Sequence, residues 1–398
     1  MFGGQSKVDF DADLVFRRCG NSGNLVQEII ACSMASPQVT SIATIPSEWS
    51  NNQRVVCRIV LNSHKCDSAQ TSSQRSTHLI EYRKLGRTGL KVSELCMGSG
   101  WRRESEANSF EVLSAAFEAG INFIDTADVY TTTVDGRPIG VAETIIGKWI
   151  KQRNIPREQL VIATKVGHRM GEGPNDEGLS RKHIFDSVEG SLQRLQIETI
   201  DLYQTHYPDE NTPIEESLRA FDDLVRQGLV RYIGCCSYPA GSLMEALWNS
   251  DRHDLARYDS LQPHYSLVHR AEYEREAAEV CKRYDLGVIP YSPLAAGFLT
   301  GKYRKDKPVP ESVRSFTVQK HMTTQNLAVV DELESLGKAR GKSISQMALG
   351  WLLSRQEITA PIIGPRTIEQ LKDNLGAAGL RLSVSEMKAL EDGSRWDS

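Results

Sequence analysis

From Ile80 to Leu390 the sequence alternates short β-branched runs with amphipathic helical stretches, and this alternation constrains the fold more than any other feature. Strands are expected at Leu95–Gly98, Asn122–Thr126, Leu160–Val166, Ile200–His206, Val230–Ser237, Ser260–His264, Gly287–Ser292 and Ala360–Gly364. Between them, Val112, Leu113, Ala116 and Phe117 fall on one helical face, and Gly120 stands where a helix C-cap belongs. Thr212, Pro213 and Glu215 read as a capping box with proline in the first turn. Strands separated by helices pair in parallel through crossovers, and eight such units are the number that closes a ring. The expected fold is therefore α/β, a (β/α)8 TIM barrel over residues 80–398. The competing open doubly wound sheet lacks its dinucleotide fingerprint, because Gly98-Ser99-Gly100 runs into Trp101-Arg102-Arg103 without a third glycine.

Composition removes several function classes. Lys plus Arg number 47 against 51 Asp plus Glu, a formal charge of −4, which offers no electrostatic footprint for nucleic acid or an anionic membrane. The longest apolar runs are strand-sized, well short of the roughly 18–20 residues of a membrane span. The eight cysteines contain no C-x-x-C pair, so neither a disulfide framework nor a zinc site is expected, and a reducing cytoplasmic setting is. Cys235 and Cys236 read as small barrel residues pointing to opposite faces. Residues 1–79 have a different character: rich in Ser and Thr, holding Cys19, Cys32, Cys57 and Cys66, and without a sustained period of 2 or 3.6. They read as a disordered leader or a mis-assigned translation start, with a regulatory or targeting segment as the alternative. Asp9, Asp11 and Asp13 stand where a secretory signal carries positive charge.

In a barrel, chemistry gathers where strands end and βα loops begin. The second expected strand ends in Asp125-Thr126-Ala127-Asp128-Val129-Tyr130, the third carries Thr164 and Lys165, and the fourth ends in Gln204-Thr205-His206. A lysine inside a strand must be paired, and Asp125 is its nearest candidate partner. The resulting cation beside the Tyr130 hydroxyl is expected to stabilise phenolate and lower the phenol below its usual pKa of about 10. Each residue alone has an ordinary structural role, as turn former, rim lysine, core histidine or packing tyrosine. Together, at strand ends that the topology forces to one mouth, they form a candidate catalytic set.

The chain resembles the aldo-keto reductase superfamily, within it the aryl-alcohol-dehydrogenase-like and YajO-like branch. The resemblance is carried by the segment Tyr82 to Ser93, by Gly120 to Tyr130, and by Ala163-Thr164-Lys165-Val166 and Glu177 to Arg181. It continues through Arg231-Tyr232-Ile233-Gly234, Tyr291 to Ala295 and Pro361 to Gly364. It covers essentially all of 80–398. By this resemblance Asp125, Tyr130, Lys165 and His206 correspond to a catalytic tetrad, and NADPH/NADP+ is bound without a Rossmann domain. The implied reaction reduces a small-molecule aldehyde or ketone reversibly, with Tyr130 donating the proton and His206 orienting the carbonyl.

The resemblance also implies cofactor contacts. Tyr291 stacks on the nicotinamide, and Ser237 and Gln262 hold its carboxamide. Tyr238 stands where the family often has Asn, a departure that puts one amide bond in doubt. Ser292, Leu294 and the Ala295-Ala296-Gly297 loop approach the pyrophosphate, and Gly98 is a further cofactor-binding residue. Arg366 and Thr367 grip the 2′-phosphate, with Gln370 and Asn374 beside the adenine, although Thr367-x-x-Gln370 also reads as an ordinary capping box. His168, Arg169, Trp101 and Tyr238 are candidate pocket walls for planar carbonyls, and Lys302–Arg314 a loop over the cofactor. The alternative function is a cofactor-sensing regulatory subunit of the same fold, like potassium-channel β subunits.

Overall fold

The computed structural model of the chain describes residues 80–100, 105–130, 139–305 and 318–396. The leader 1–79, Trp101 and most of the expected loop, 306–314, lie outside the described residues.

Strands β1 (Tyr82–Lys84) and β2 (Lys91–Ser93) pair antiparallel as a hairpin. The barrel strands follow: β3 (Cys96–Gly98), β4 (Phe123–Asp125), β5 (Val161–Val166), β6 (Ile200–Thr205), β7 (Val230–Cys236), β8 (Tyr258–Gln262), β9 (Gly287–Val288) and β10 (Ile362–Ile363). They form one parallel eight-stranded sheet in the order β10-β3-β4-β5-β6-β7-β8-β9. The ring closes between β9 and the approach to β10, where Thr359 N donates to Val288 O at 2.8 Å and Ile362 N to Pro290 O at 2.9 Å. All eight expected strands are present, shorter by a residue or more at several ends, and the (β/α)8 barrel stands.

Helices α1 (Glu106–Glu118), α2 (Val141–Gln152), α3 (Arg181–Leu195), α4 (Ile214–Arg226), α5 (Ala240–His253) and α6 (Ala278–Tyr284) connect successive strands up to β9. The long connection from β9 to β10 carries α7 (Thr324–Arg340) and α8 (Ile344–Leu353), and α9 (Ile368–Leu375) and α10 (Val384–Gly393) follow. Serine caps α1 and α3: the Ser105 and Ser180 side chains accept from Asn108 N and His183 N. The expected capping box of α4 is absent. That helix begins after Pro213, and the Thr212 hydroxyl donates instead to Asp209 Oδ2 at 2.8 Å, because Asp209 already organises the preceding loop through Leu179 N and Asn211 N.

Two cores follow from strand parity. Ile124, Ile162, Tyr203 and Ile233 face outward and pack with Val112, Trp149, Ile184, Phe221 and Leu243 of the surrounding helices. Phe123, Val161, Ala163 and Leu202 face inward with Ile289 and Ile362, and the hairpin contributes Leu85 and Val92 to the same cluster, plugging the N-terminal end. The plug sits tightly: Gly86, at φ +53°, approaches so closely that a Cβ there would lie 2.5 Å from Asp285 O and Gly287 N. Among the described residues Cys96, Cys235, Cys236 and Cys281 are free and buried.

Leu85 is fully buried at the floor of the ring. Leu85→Ala is expected to lower unfolding free energy by about 3 kcal/mol through lost burial and a residual cavity. Urea denaturation monitored by far-UV circular dichroism checks this, with an unchanged denaturant slope.

Candidate active site

Strand parity sets the site. Phe123 points inward, so Asp125 does too; Ala163 is followed two residues later by Lys165, and Leu202 by Gln204 and then His206. The parallel register sets Asp125 opposite Ala163 and Lys165 opposite Gln204. One barrel layer is thereby polar, just above the apolar plug.

Lys165, fully buried, donates to Asp125 Oδ2 at 2.6 Å and to Thr126 O at 2.8 Å. Its ammonium lies 3.4 Å from the Tyr130 oxygen and 4.9 Å from the ring centroid. Burial pulls the lysine pKa down, but Asp125 more than offsets this and the net shift is upward, so Lys165 stays charged. The other Asp125 oxygen accepts from Gln262 Nε2 at 2.9 Å and Gln204 Nε2 at 3.2 Å, and Gln262 also donates to Gln204 Oε1 at 3.3 Å. The carboxylate is thus held on both sides. Gln204 was not among the expected site residues, although its even spacing from Leu202 could have marked it.

The phenol does not behave as expected from the sequence. Burial pushes the Tyr130 hydroxyl up to about 12, and the neighbouring Lys165 only partly counters it. The expectation counted the cation and omitted the dryness of the wall. Tyr130 therefore holds its proton throughout the neutral range, which suits a donor to a stronger base such as an alkoxide.

The His206 ring stands edge-on to Tyr130 with centroids 5.7 Å apart. Burial, then the Lys165 charge, lowers its pKa to about 2, and Nδ1 has no hydrogen-bond partner among the described residues. The imidazole is neutral. His168 packs edge-on against it at 4.4 Å and Tyr207, half exposed, stacks on it at 5.1 Å. Arg169 binds Glu177 and the carbonyls of Gly171 and Gly173 within its own loop. Tyr238 is 5% exposed and packs on Tyr258 in the outer core, so it does not wall the pocket: Ser237 takes φ +57° and the chain turns the next residue inward to the helices.

A cavity of about 700 Å3 opens above the polar layer, lined among others by Asp125, Tyr130, Gln262, Tyr291, Arg366 and Asn374. Gly98, Ser292, Leu294, Ala296, Gly297 and Gln370 line it too. Its volume lies in the range of small-molecule and cofactor sites. Gly98 can carry no side chain, because a Cβ would stand 2.7 Å from Ile362 Cγ2 and 3.2 Å from Ile363 O. Ala296 and Gly297 have φ of +56° and +95°, a turn that exposes backbone, and Lys302 Nζ stands 3.4 Å from where a Gly297 Cβ would be. That cation, the first residue of the loop expected over the cofactor, lines the cavity and makes this wall suited to an anion.

The far end rests on the α9 N-terminus. The Thr367 hydroxyl caps the helix by accepting from Gln370 N, while Gln370 Oε1 accepts from Arg366 N at 2.9 Å. Asn108 of α1 donates to Arg366 O, tying the loop to the barrel. Glu369 and Asp373 also line this end, so Arg366 shares it with two carboxylates. Ser237 is 3.4 Å from the Tyr291 hydroxyl.

Residues 95–394 match the Aldo/keto reductase family. The chain belongs to that family. It is 38% identical over 321 residues to an uncharacterized oxidoreductase of Bacillus subtilis (strain 168), covering 79% of this chain and 95% of the relative. It is 34% identical over 346 residues to a putative aryl-alcohol dehydrogenase of Schizosaccharomyces pombe, covering 78% and 95%. A probable voltage-gated potassium channel subunit beta of Oryza sativa subsp. japonica is 34% identical over 308 residues, covering 75% and 91%. The aryl-alcohol-dehydrogenase-like resemblance holds, and the protein is an oxidoreductase of the aldo/keto reductase type. No helix among the described residues is long and apolar enough to cross a membrane.

Because His206 binds fewer protons folded than unfolded between about pH 2 and its unfolded value of about 6.5, stability falls as pH drops through that window. His206→Gln is expected to flatten the acid limb by up to about 1.4 kcal/mol per pH unit. Urea midpoints at pH 7, 6 and 5 check this; parallel profiles for wild type and variant would contradict the neutral, buried imidazole.

Proposed function

We propose that the protein reduces aldehydes or ketones to alcohols, reversibly, with NADPH as the hydride donor and Tyr130 as the proton donor. The observation that carries the reading is the buried Lys165 ammonium held 2.6 Å from Asp125 and 3.4 Å from the Tyr130 oxygen, both of which line the cavity. NADPH, when bound, supplies the hydride.

The chain's own residues supply the rest. A carbonyl oxygen placed between Tyr130 and His206 meets two neutral donors, the Tyr130 hydroxyl and the His206 imidazole. As negative charge develops on that oxygen, Tyr130 releases its proton and Lys165 compensates the phenolate left behind. Asp125 keeps the ammonium in place. Gln262, pinned by Asp125 and facing the cavity, suits the nicotinamide carboxamide, and Ser237 beside the Tyr291 hydroxyl is the second candidate for that role. Tyr291 offers the ring face for stacking.

The turn at Ser292, Leu294, Ala296 and Gly297, with Lys302, fits the pyrophosphate. Arg366 and the capped α9 N-terminus with Thr367 fit the 2′-phosphate, with Gln370 and Asn374 beside the adenine. The Tyr207 and His168 rings beside His206 suit planar carbonyl substrates. A cytoplasmic setting accords with the four unpaired cysteines among the described residues.

The rice relative motivates a second reading, a cofactor-sensing regulatory subunit with slow turnover. Steady-state NADPH oxidation across a carbonyl panel separates the two: turnover near typical enzyme rates of about 1–10³ per second supports the reductase.

Tyr130→Phe is expected to lower kcat for 4-nitrobenzaldehyde by about 10²–10⁴-fold, the range of general acid catalysis, with the NADPH Kd from fluorescence titration unchanged. Undiminished turnover would rule out the phenol as donor. Arg366→Ala is expected to weaken NADPH binding by about 10–100-fold, the loss of a charge-assisted contact, and to leave NADH binding alone. Equal losses for both dinucleotides would remove the 2′-phosphate from this position.

A further inference from the structure

Beyond the catalytic layer, the loop leaving β8 brings three metal-ligating side chains together at the outer side of Tyr291. The His264 and His269 rings stack at 3.7 Å with 24° between planes, and His264 stacks in turn on Tyr291 at 4.9 Å and 11°. The backbone holds this column. His264 bridges Tyr291 in parallel, Tyr291 N donates to Pro263 O at 3.0 Å, and Ser266 and His269 exchange backbone bonds at 3.1 and 3.0 Å. Glu272, exposed and one turn after His269, brings Oε2 to 3.0 Å from His269 Nε2.

The contact is an ion pair only when His269 is protonated, and as a neutral ring His269 Nε2, shielded from solvent, has no hydrogen-bond partner among the described residues. The nitrogen and the carboxylate oxygen stand side by side, as two ligands of one ion do. One nitrogen from each histidine and one Glu272 oxygen all lie within 4.8 Å of one another. Tetrahedral coordination with bonds of about 2.0–2.2 Å separates donor atoms by roughly 3.4 Å, so side-chain rotation of about an ångström closes the set.

We propose that His264, His269 and Glu272 form a binding site for a first-row divalent transition metal of the zinc class. Two imidazoles and one carboxylate are a donor set such ions accept, with water or a further group completing the shell. Calcium and magnesium, which take oxygen ligands, are excluded by the same chemistry.

Occupancy has a mechanical consequence. Rings stacked in near-parallel planes cannot both aim an in-plane lone pair at one ion, so His264 turns relative to His269 and its parallel contact with Tyr291 loosens. Metal binding therefore weakens the stacking surface that Tyr291 presents to the cavity. This consequence rests on the reading of Tyr291 as the nicotinamide platform, whereas the site itself does not.

The test uses tag-free full-length protein and Co2+ as the spectroscopic probe. Wild type is expected to develop the visible absorption of tetrahedral cobalt at one equivalent, reversed by Zn2+. His264→Ala and His269→Ala each lose tenfold or more in Co2+ affinity, and Glu272→Gln several-fold. Melting by circular dichroism confirms that the variants fold, and His269→Gln replaces any that does not. Wild type lacking the cobalt band, or binding Co2+ as tightly after both histidine changes, overturns the site.

In a second arm, saturating Zn2+ is expected to raise the NADPH Kd several-fold in wild type and leave it unchanged in His269→Ala. Cobalt binding without that shift overturns the coupling. Failure of NADPH to bind at all removes the dinucleotide reading and leaves the cobalt result decisive for the site.

Discussion

The ion pair of Lys165 with Asp125 organises everything above the barrel floor. Both side chains are buried, and each charge is satisfied on every side: the ammonium by a carboxylate, the Thr126 carbonyl and the Tyr130 oxygen, the carboxylate by the ammonium and two glutamine amides. A buried pair is rarely a net source of stability, because desolvation of two ions consumes most of the Coulomb attraction. Removing one partner strands the other and costs about 3–5 kcal/mol. The pair is therefore best understood as a means of holding a fixed positive charge where water cannot reach it, beside a phenol.

The barrel makes such a charge possible. Parallel strands present inward residues in layers, so a polar layer can sit directly on an apolar one without a water-filled gap. Here the apolar layer is Phe123, Ala163 and Leu202, closed below by Leu85 and Val92 of the hairpin. Two residues further along the same strands come Asp125, Lys165 and Gln204. The outward residues do different work on the same strands: Thr164 donates to Glu143 of α2 at 2.6 Å, and Arg194 of α3 donates to that carboxylate at 2.7 Å. Positional accuracy at the site thus derives from strands clamped on both faces rather than from loops.

Much of this was legible in the amino-acid order because it depends on periodicity and chain-terminal signals. Eight strands, their order and the meeting of Asp125, Tyr130, Lys165 and His206 follow from alternation and topology. What escaped depends on three-dimensional surroundings. The hairpin strands, three residues each, are too short to show a period of two. Tyr238 reads as a site residue by position, but a left-handed Ser237 reverses the face of everything after it. Gln204 carries no motif, and only the folded geometry reveals that it braces Asp125. The direction of the Tyr130 shift required knowing how dry the wall is, which composition cannot report.

The corrected phenol changes how the site is understood electrostatically. One fixed cation and one fixed anion cancel, and the two groups proposed to face a carbonyl are neutral: Tyr130, pushed up to about 12, and His206, lowered to about 2. Neither changes protonation between roughly pH 4 and 10, so the proposed tetrad offers the same two hydrogen bonds across that range. An arrangement with a lowered phenol would hold a partial anion facing the oxygen on which negative charge must develop, and would oppose it. With the proton retained until an alkoxide forms, donation runs from a weaker base to a stronger one, and the nearby ammonium acts only on the phenolate that results. The desolvation that raises the phenol is thus compatible with its proposed role as donor, and Lys165 serves chiefly to limit how far that rise goes.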